Sequence, residues 1–156
     1  MSSKQEQTLE DLGFKFHTPP GLLAEQFGAI GTPCTVTIPP NVSTITTSGH
    51  LGWGADGKFP THLSEEIENV FKNIETSLKH AGASQGWRSV YSLQTFQSKS
   101  RVPDEDEFFG AILPIKAKYM GSVACVWTGV SVPELHAGAA VEIVVSAALA
   151  PLNSRL

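Results

Sequence analysis

The sequence is poor in the features that announce most classes of ligand. Eleven Lys and Arg residues stand against 15 Asp and Glu, a net charge of −4, and no basic run exceeds a pair. A chain of that balance offers no positive stripe for a phosphate backbone, so nucleic acid is not an expected partner. No stretch approaches the ~18 apolar residues of a membrane span, and Met1 to Glu10 has no apolar core of a secretion signal. A soluble, non-secreted chain without membrane contact is expected. Neither GxGxxG nor GK[ST] occurs, which leaves phosphate cradling unsupported. The two cysteines, Cys34 and Cys125, lie in strand-like surroundings without metal or CxxC spacing, and are read as buried free thiols in a reducing compartment. No metal or cofactor is expected.

What the chain does contain is enough for one core. Its 156 residues, 41% hydrophobic, suit one domain and are too few for two. Residues 1–29, with Phe14, Phe16 and Pro19-Pro20, read as an arm or lead-in whose apolar residues tuck against a domain over 30–150. Cys34 to Ile38 alternates with a period of two and Val42 to Ser48 is rich in β-branched residues, so two strands are expected, which could pair as neighbours. Gly49 to Gly57 holds four glycines around His50 and Trp53, either a ligand loop or a connector.

Helical spacing begins at Leu63 and continues through Ile67, Val70, Phe71, Ile74 and Leu78, with Ser64 as a cap and Gly82 as a stop. Glu68, Lys72 and Glu75 form its solvated face. Trp87 to Ser98 reads as a strand. Asp104 to Glu107 place four acids where a helix dipole favours them, and are read as the start of a second helix rather than as metal ligands. Pro114 is expected to kink or split that helix. Two strands follow, Val123 to Val132 and Ala139 to Leu149, with Trp127-Thr128-Gly129 as a turn-like element opposite Glu142. On the last strand Val141, Ile143, Val145 and Ala147 point one way, and Ala140, Glu142, Val144 and Ser146 the other. A carboxylate in such a run is either a paired structural group or an acid/base.

This order of elements, with Ser48-Gly49-His50, Asn73, Ala81-Gly82 and Glu142-Ile143-Val144, resembles the Rid family, the YjgF-like reactive intermediate deaminases also described as endoribonuclease L-PSP. The resemblance spans residues 30 to 149. It implies an α+β, chorismate-mutase-like mixed sheet with two helices on one face, assembled as a homotrimer with ligand clefts between subunits. Deaminating members carry an arginine for the substrate carboxylate at the position of Trp127, and no basic residue occurs here from Ser122 to Leu135. Trp-Thr-Gly resembles another branch of the family, with an aromatic wall in place of the guanidinium.

The resemblance implies a small-molecule site in which Glu142 is the acid/base and Trp127, Thr128, Gly129, His50 and Trp53 contact the substrate. Three functions follow as expectations. The first is an enzyme acting on a reactive imine, enamine or related intermediate, by hydrolysis or by isomerisation or cyclisation in a specialised pathway. The second is a non-catalytic binding protein that uses the same cleft. The third, an endoribonuclease, fits poorly with an acidic surface. The ending Ser154-Arg155-Leu156 resembles a peroxisomal address read by an import receptor, so the expected location is peroxisomal and otherwise cytoplasmic.

Overall fold

A computed structural model describes residues 7–150. The Ser154-Arg155-Leu156 ending and Met1 to Glu6 lie outside the described residues.

The chain forms β1 (Lys15–His17), α1 (Leu22–Gly28), β2 (Thr35–Thr37), β3 (Thr44–Thr46), β4 (His50–Leu51), α2 (Leu63–His80), β5 (Val90–Ser98), α3 (Glu105–Met120), β6 (Val126–Val132) and β7 (Val141–Ala148). The main sheet runs in the order β3-β7-β5-β6, with β4 also paired to β7. Among the described residues, only β5 and β6 pair in parallel. Parallel neighbours need a crossover, and α3 supplies it between them. The result is an α+β architecture with a mixed sheet.

The two early strands do not pair as neighbours. β2 pairs with β1 as a separate ribbon, whereas β3 pairs with β7. Alternation marks a strand but does not choose its partner. Here Pro39 and Pro40 interrupt the ladder between the two segments, and the lead-in supplies β2 with a nearer neighbour. Leu9 and Phe14 of that lead-in are buried with Tyr91 and Ala148 in a small second cluster.

The main core lies between the sheet and the two long helices. Ile67, Val70, Phe71, Ile74 and Leu78 of α2 are fully buried, as the periodicity requires. They meet Phe108 and Ile112 of α3 and Leu93, Ile143 and Val145 of the sheet. Trp87 stacks on Phe71, with ring centroids 4.1 Å apart, and donates its indole N–H to the Phe71 carbonyl at 2.8 Å. Trp87 belongs to a 3-10 turn over Gly86–Ser89 rather than to the strand, which begins at Val90.

Local details also depart from expectation. His62, not Ser64, holds the N-cap position of α2, and makes no side-chain cap. Asp104 caps α3 by accepting from the Asp106 N–H at 2.9 Å. Pro114 does not split α3, which runs unbroken from Glu105 to Met120. Pro114 and Gly110 are both exposed, so solvent can take the carbonyl that the proline leaves without a donor. Cys125 is buried and Cys34 half-buried, both free.

Residues opposite one another in register share a face of the sheet. Leu93 lies between Val145 and Trp127, Thr95 between Ile143 and Gly129, and Gln97 between Val141 and Ser131, all towards the helices. Gln94 lies between Val144 and Thr128, and Phe96 between Glu142 and Val130, all on the opposite face, where no helix packs.

Candidate functional site

The edge strand β6 and the start of α3 enclose a cavity of about 200 Å³. Trp127 and Gly129 enter it from β6, Thr95 and Gln97 from β5, and Phe109 and Glu105 from α3. The helical stripe of α3 turns Phe108 into the core and leaves Phe109 half-buried at the cavity, edge-on to the Trp127 ring at a centroid distance of 5.8 Å. Trp127 donates its indole N–H to Thr95 Oγ1 at 3.0 Å, which fixes the orientation of the ring. Gln97 donates Nε2–H to Ser131 Oγ at 3.0 Å. Small residues make the space: a Cβ at Gly129 would meet only Thr95 Oγ1, at an ordinary 3.4 Å.

The expected site residues separate into three places. Trp127 and Gly129 line the cavity. Their segment is the middle of a strand, not a turn. Thr128, between them, projects to the opposite face, as does Glu142 on β7. Period-two alternation therefore puts Trp127 and Glu142 of one chain on opposite sides of the sheet, with β5 between their strands. Glu142 is half-buried and its carboxylate accepts no hydrogen bond among the described residues.

His50 and Trp53 lie elsewhere. His50 sits on β4, two strands from β6, with Nε2 2.7 Å from Ser77 Oγ and Nδ1 2.9 Å from the Ser48 carbonyl. A carbonyl only accepts, so Nδ1 carries the proton and Nε2 accepts from the Ser77 hydroxyl. Both nitrogens are thereby occupied. Trp53 is exposed and stacks on Phe59 at 5.8 Å, in a loop whose Leu51 and Trp53 carbonyls accept from Asn73.

A buried charged pair lies beneath the start of β7. Glu66 is fully buried in α2, where it accepts from the Ala140 N–H at 2.6 Å and from Arg101 at 3.2 Å. Arg101 also donates to the Gly138 carbonyl at 2.7 Å. Burial pushes the Glu66 carboxyl up, against the opposing pull of the Ala140 N–H and the Arg101 guanidinium. Glu66 stands four residues before Val70 and eight before Ile74, on the apolar stripe, and that spacing was the available signal. The charged face of α2 is likewise engaged. Burial works against ionised Glu68, but hydrogen bonds from Lys118 and Tyr119 hold its carboxyl below the usual range. Glu75 accepts from the Trp87 N–H and pairs with Lys79.

Among the described residues, no three His, Cys, Asp or Glu side chains group as a metal site, and no helix is long and apolar enough to cross a membrane. The fold and the cavity define an α+β domain with one main sheet, a separate two-stranded ribbon and a small-molecule-sized cavity at the sheet edge. Residues 37–149 match the family model described as Endoribonuclease L-PSP, and the chain belongs to that family, the YjgF/Rid family.

Solved structures agree on the fold. A Rid-family protein of unknown function from Yersinia pestis is 21% identical, with a TM-score of 0.70, covering 87% of this chain and 98% of that one. RidA from the Antarctic bacterium Psychrobacter sp. is 19% identical, with a TM-score of 0.59 over 77% of this chain and 95% of that one. A member of the YjgF/YER057c/UK114 family from Mycobacterium tuberculosis is 21% identical, with a TM-score of 0.55 over 88% of this chain and all of that one, 100%. No curated protein matches the chain.

Proposed function

We propose that this protein is a small-molecule enzyme of the Rid family that binds a reactive imine, enamine or related intermediate in the Trp127 cavity. The observation that carries the reading is the cavity itself: apolar aromatic walls with a few convergent polar groups, Thr95, Gln97 and Ser131, at the edge of the sheet. An indole wall in place of a guanidinium suits a flat or apolar ligand. Trp127-Thr128-Gly129 then marks a branch of the family with its own substrate.

In this reading Glu142 is the acid/base, moving a proton at the imine or enol carbon or activating water. Because Glu142 and Trp127 face opposite ways in one chain, Glu142 reaches the ligand only from a neighbouring copy. The reading therefore includes a homotrimer with clefts between subunits. The open face of the sheet, with Phe96, Val130 and Val144 partly or fully exposed, is the surface such an assembly would cover.

The test is product formation by the full chain from a panel of imines, enamines and apolar enols, followed by NMR, beside Glu142→Gln and Gly129→Leu. Loss of turnover in both variants, with the same oligomeric mass, is expected. Full turnover in Glu142→Gln would remove its catalytic role, and full turnover in Gly129→Leu would remove the cavity. A second reading, binding without chemistry, is favoured by the cavity holding no acid/base of its own chain except exposed Glu105. It predicts saturable binding with no product from any compound. Peroxisomal delivery through Ser154, Arg155 and Leu156 is a separate proposal, tested by where a fluorescent fusion with and without those residues localises.

A further inference from the structure

The polar groups around the Trp127 cavity are of one kind. Its lining carries a single charged side chain, the Glu105 carboxylate, and no Lys, Arg or His. Asp104, Asp106 and Glu107 beside it are exposed and of the same sign. The nearest basic residue in sequence on that side, Arg101, is spent on Glu66 and the Gly138 carbonyl. The N-terminus of α3 offers no vacant seat for an anion either, because the Asp104 carboxylate already accepts its Asp106 N–H.

Gln97 adds a second acceptor. It lines the cavity; Nε2 is used on Ser131, whereas Oε1 has no hydrogen-bond partner among the described residues and keeps some solvent access. That oxygen is not sealed from solvent, and a ligand N–H can take the place of the water it would otherwise meet. The Trp127 indole N–H is spent on Thr95, so what the ring has left for a ligand is π surface rather than a donor. Two acceptors and an aromatic surface in one lining match a ligand that is cationic and rich in N–H. A carboxylate would meet Glu105 and Gln97 Oε1 with no cation to pair it.

We propose that the cavity selects a protonated amine or iminium nitrogen attached to a small flat ring, and discriminates against the matching carboxylate. The proposal rests on the reading of this cavity as the ligand site, and it names the substrate class: intermediates in which a carboxylate is absent or masked. The nitrogen sits between Glu105 and Gln97 Oε1, and the ring lies against Trp127 and Phe109.

Calorimetric titration of the full chain with 2-phenylethylamine, 2-phenylethanol and phenylacetate at neutral pH and low salt tests it. The amine is expected to bind about fivefold more tightly than the alcohol, as a partly screened ion pair allows, and the carboxylate most weakly. Added salt should narrow the gap. Glu105→Gln should remove most of the preference for the amine while the alcohol binds as before, and Gly129→Leu should abolish binding of all three. Phenylacetate binding as tightly as the amine, or an undiminished preference in Glu105→Gln, overturns the proposal and leaves the cavity as the ligand site. Absence of binding by all three compounds, with Gly129→Leu unchanged in its turnover on the broader panel, overturns the proposal together with the reading beneath it.

Discussion

The Glu142 carboxylate lies over the backbone of Gly49, in the space that a Cβ at position 49 would take. Gly49 directly precedes β4, which pairs with β7 so that Leu51 stands opposite Glu142. The Ser48-Gly49 step is thus explained by close approach rather than by a turn. Gly49→Ala is expected to cost about 1 kcal/mol by overpacking, and Glu142→Ala to remove most of that penalty. Urea unfolding of the single and double variants measures the coupling. A penalty that persists without Glu142 would show that the glycine answers to something else.

The Ser77–His50 contact predicts a structural role for His50. Its Nε2 has no other acceptor use, and two strands separate it from the cavity edge. Ser77→Ala should destabilise the protein by about 1 kcal/mol, the net value of one hydrogen bond. Ligand affinity at the Trp127 cavity should stay within a factor of two, within the scatter expected of a distant, uncoupled site. A larger loss of affinity than of stability would return His50 to the binding machinery.

What the sequence made legible was periodicity; what it hid was partnership. The stripe Leu63, Ile67, Val70, Phe71, Ile74 and Leu78 anticipated α2, and the alternation around Glu142 anticipated which residues of β7 face the helices. Both follow from backbone geometry alone. That β2 joins β1, and that β5 separates β6 from β7, depends on long-range pairing that short alternating segments do not encode. For the same reason Trp127 and Glu142, 15 positions apart, looked like facing walls of one site but project to opposite sides. Glu66 was hidden differently, because a glutamate near a helix N-terminus has a sufficient surface explanation.

The turn before β7 contains a backbone conformation that its residue does not favour. Ala137 has φ 54° and ψ 21°, the left-handed region, within the 3-10 turn His136–Gly138. The Cβ penalty there is about 1 kcal/mol, partly offset by the greater entropy of glycine in the unfolded chain. Ala137→Gly is therefore expected to stabilise the protein by roughly 0.5 kcal/mol. Thermal unfolding at neutral pH checks the sign, and a lower melting temperature would mean that the alanine methyl makes contacts worth more than the strain.

Burial of Glu66 gives stability a specific dependence on pH. Its folded-state pKa is raised above the ordinary 4.5, with desolvation the largest cause. In the window above 4.5 the native chain holds a proton that the unfolded chain has released, so stability falls as pH rises through that window. The contribution is fully present below 4.5 and is lost above the raised folded pKa. Glu68, whose pKa is lowered, acts with the opposite sign, losing its contribution as pH falls. Glu66→Gln separates the two: the difference in unfolding free energy between wild type and variant should move in the variant's favour as pH climbs from 4.5. Arg101 opposes this by pairing with the ionised carboxylate, so Arg101→Met should steepen the wild-type decline and cost about 1–2 kcal/mol at neutral pH, less than a fully buried pair because the guanidinium is partly exposed. Urea unfolding of the three proteins between pH 4 and pH 7.5 reads both effects. A difference curve for Glu66→Gln that is flat across that range would mean that Arg101 and the Ala140 N–H fully offset the burial.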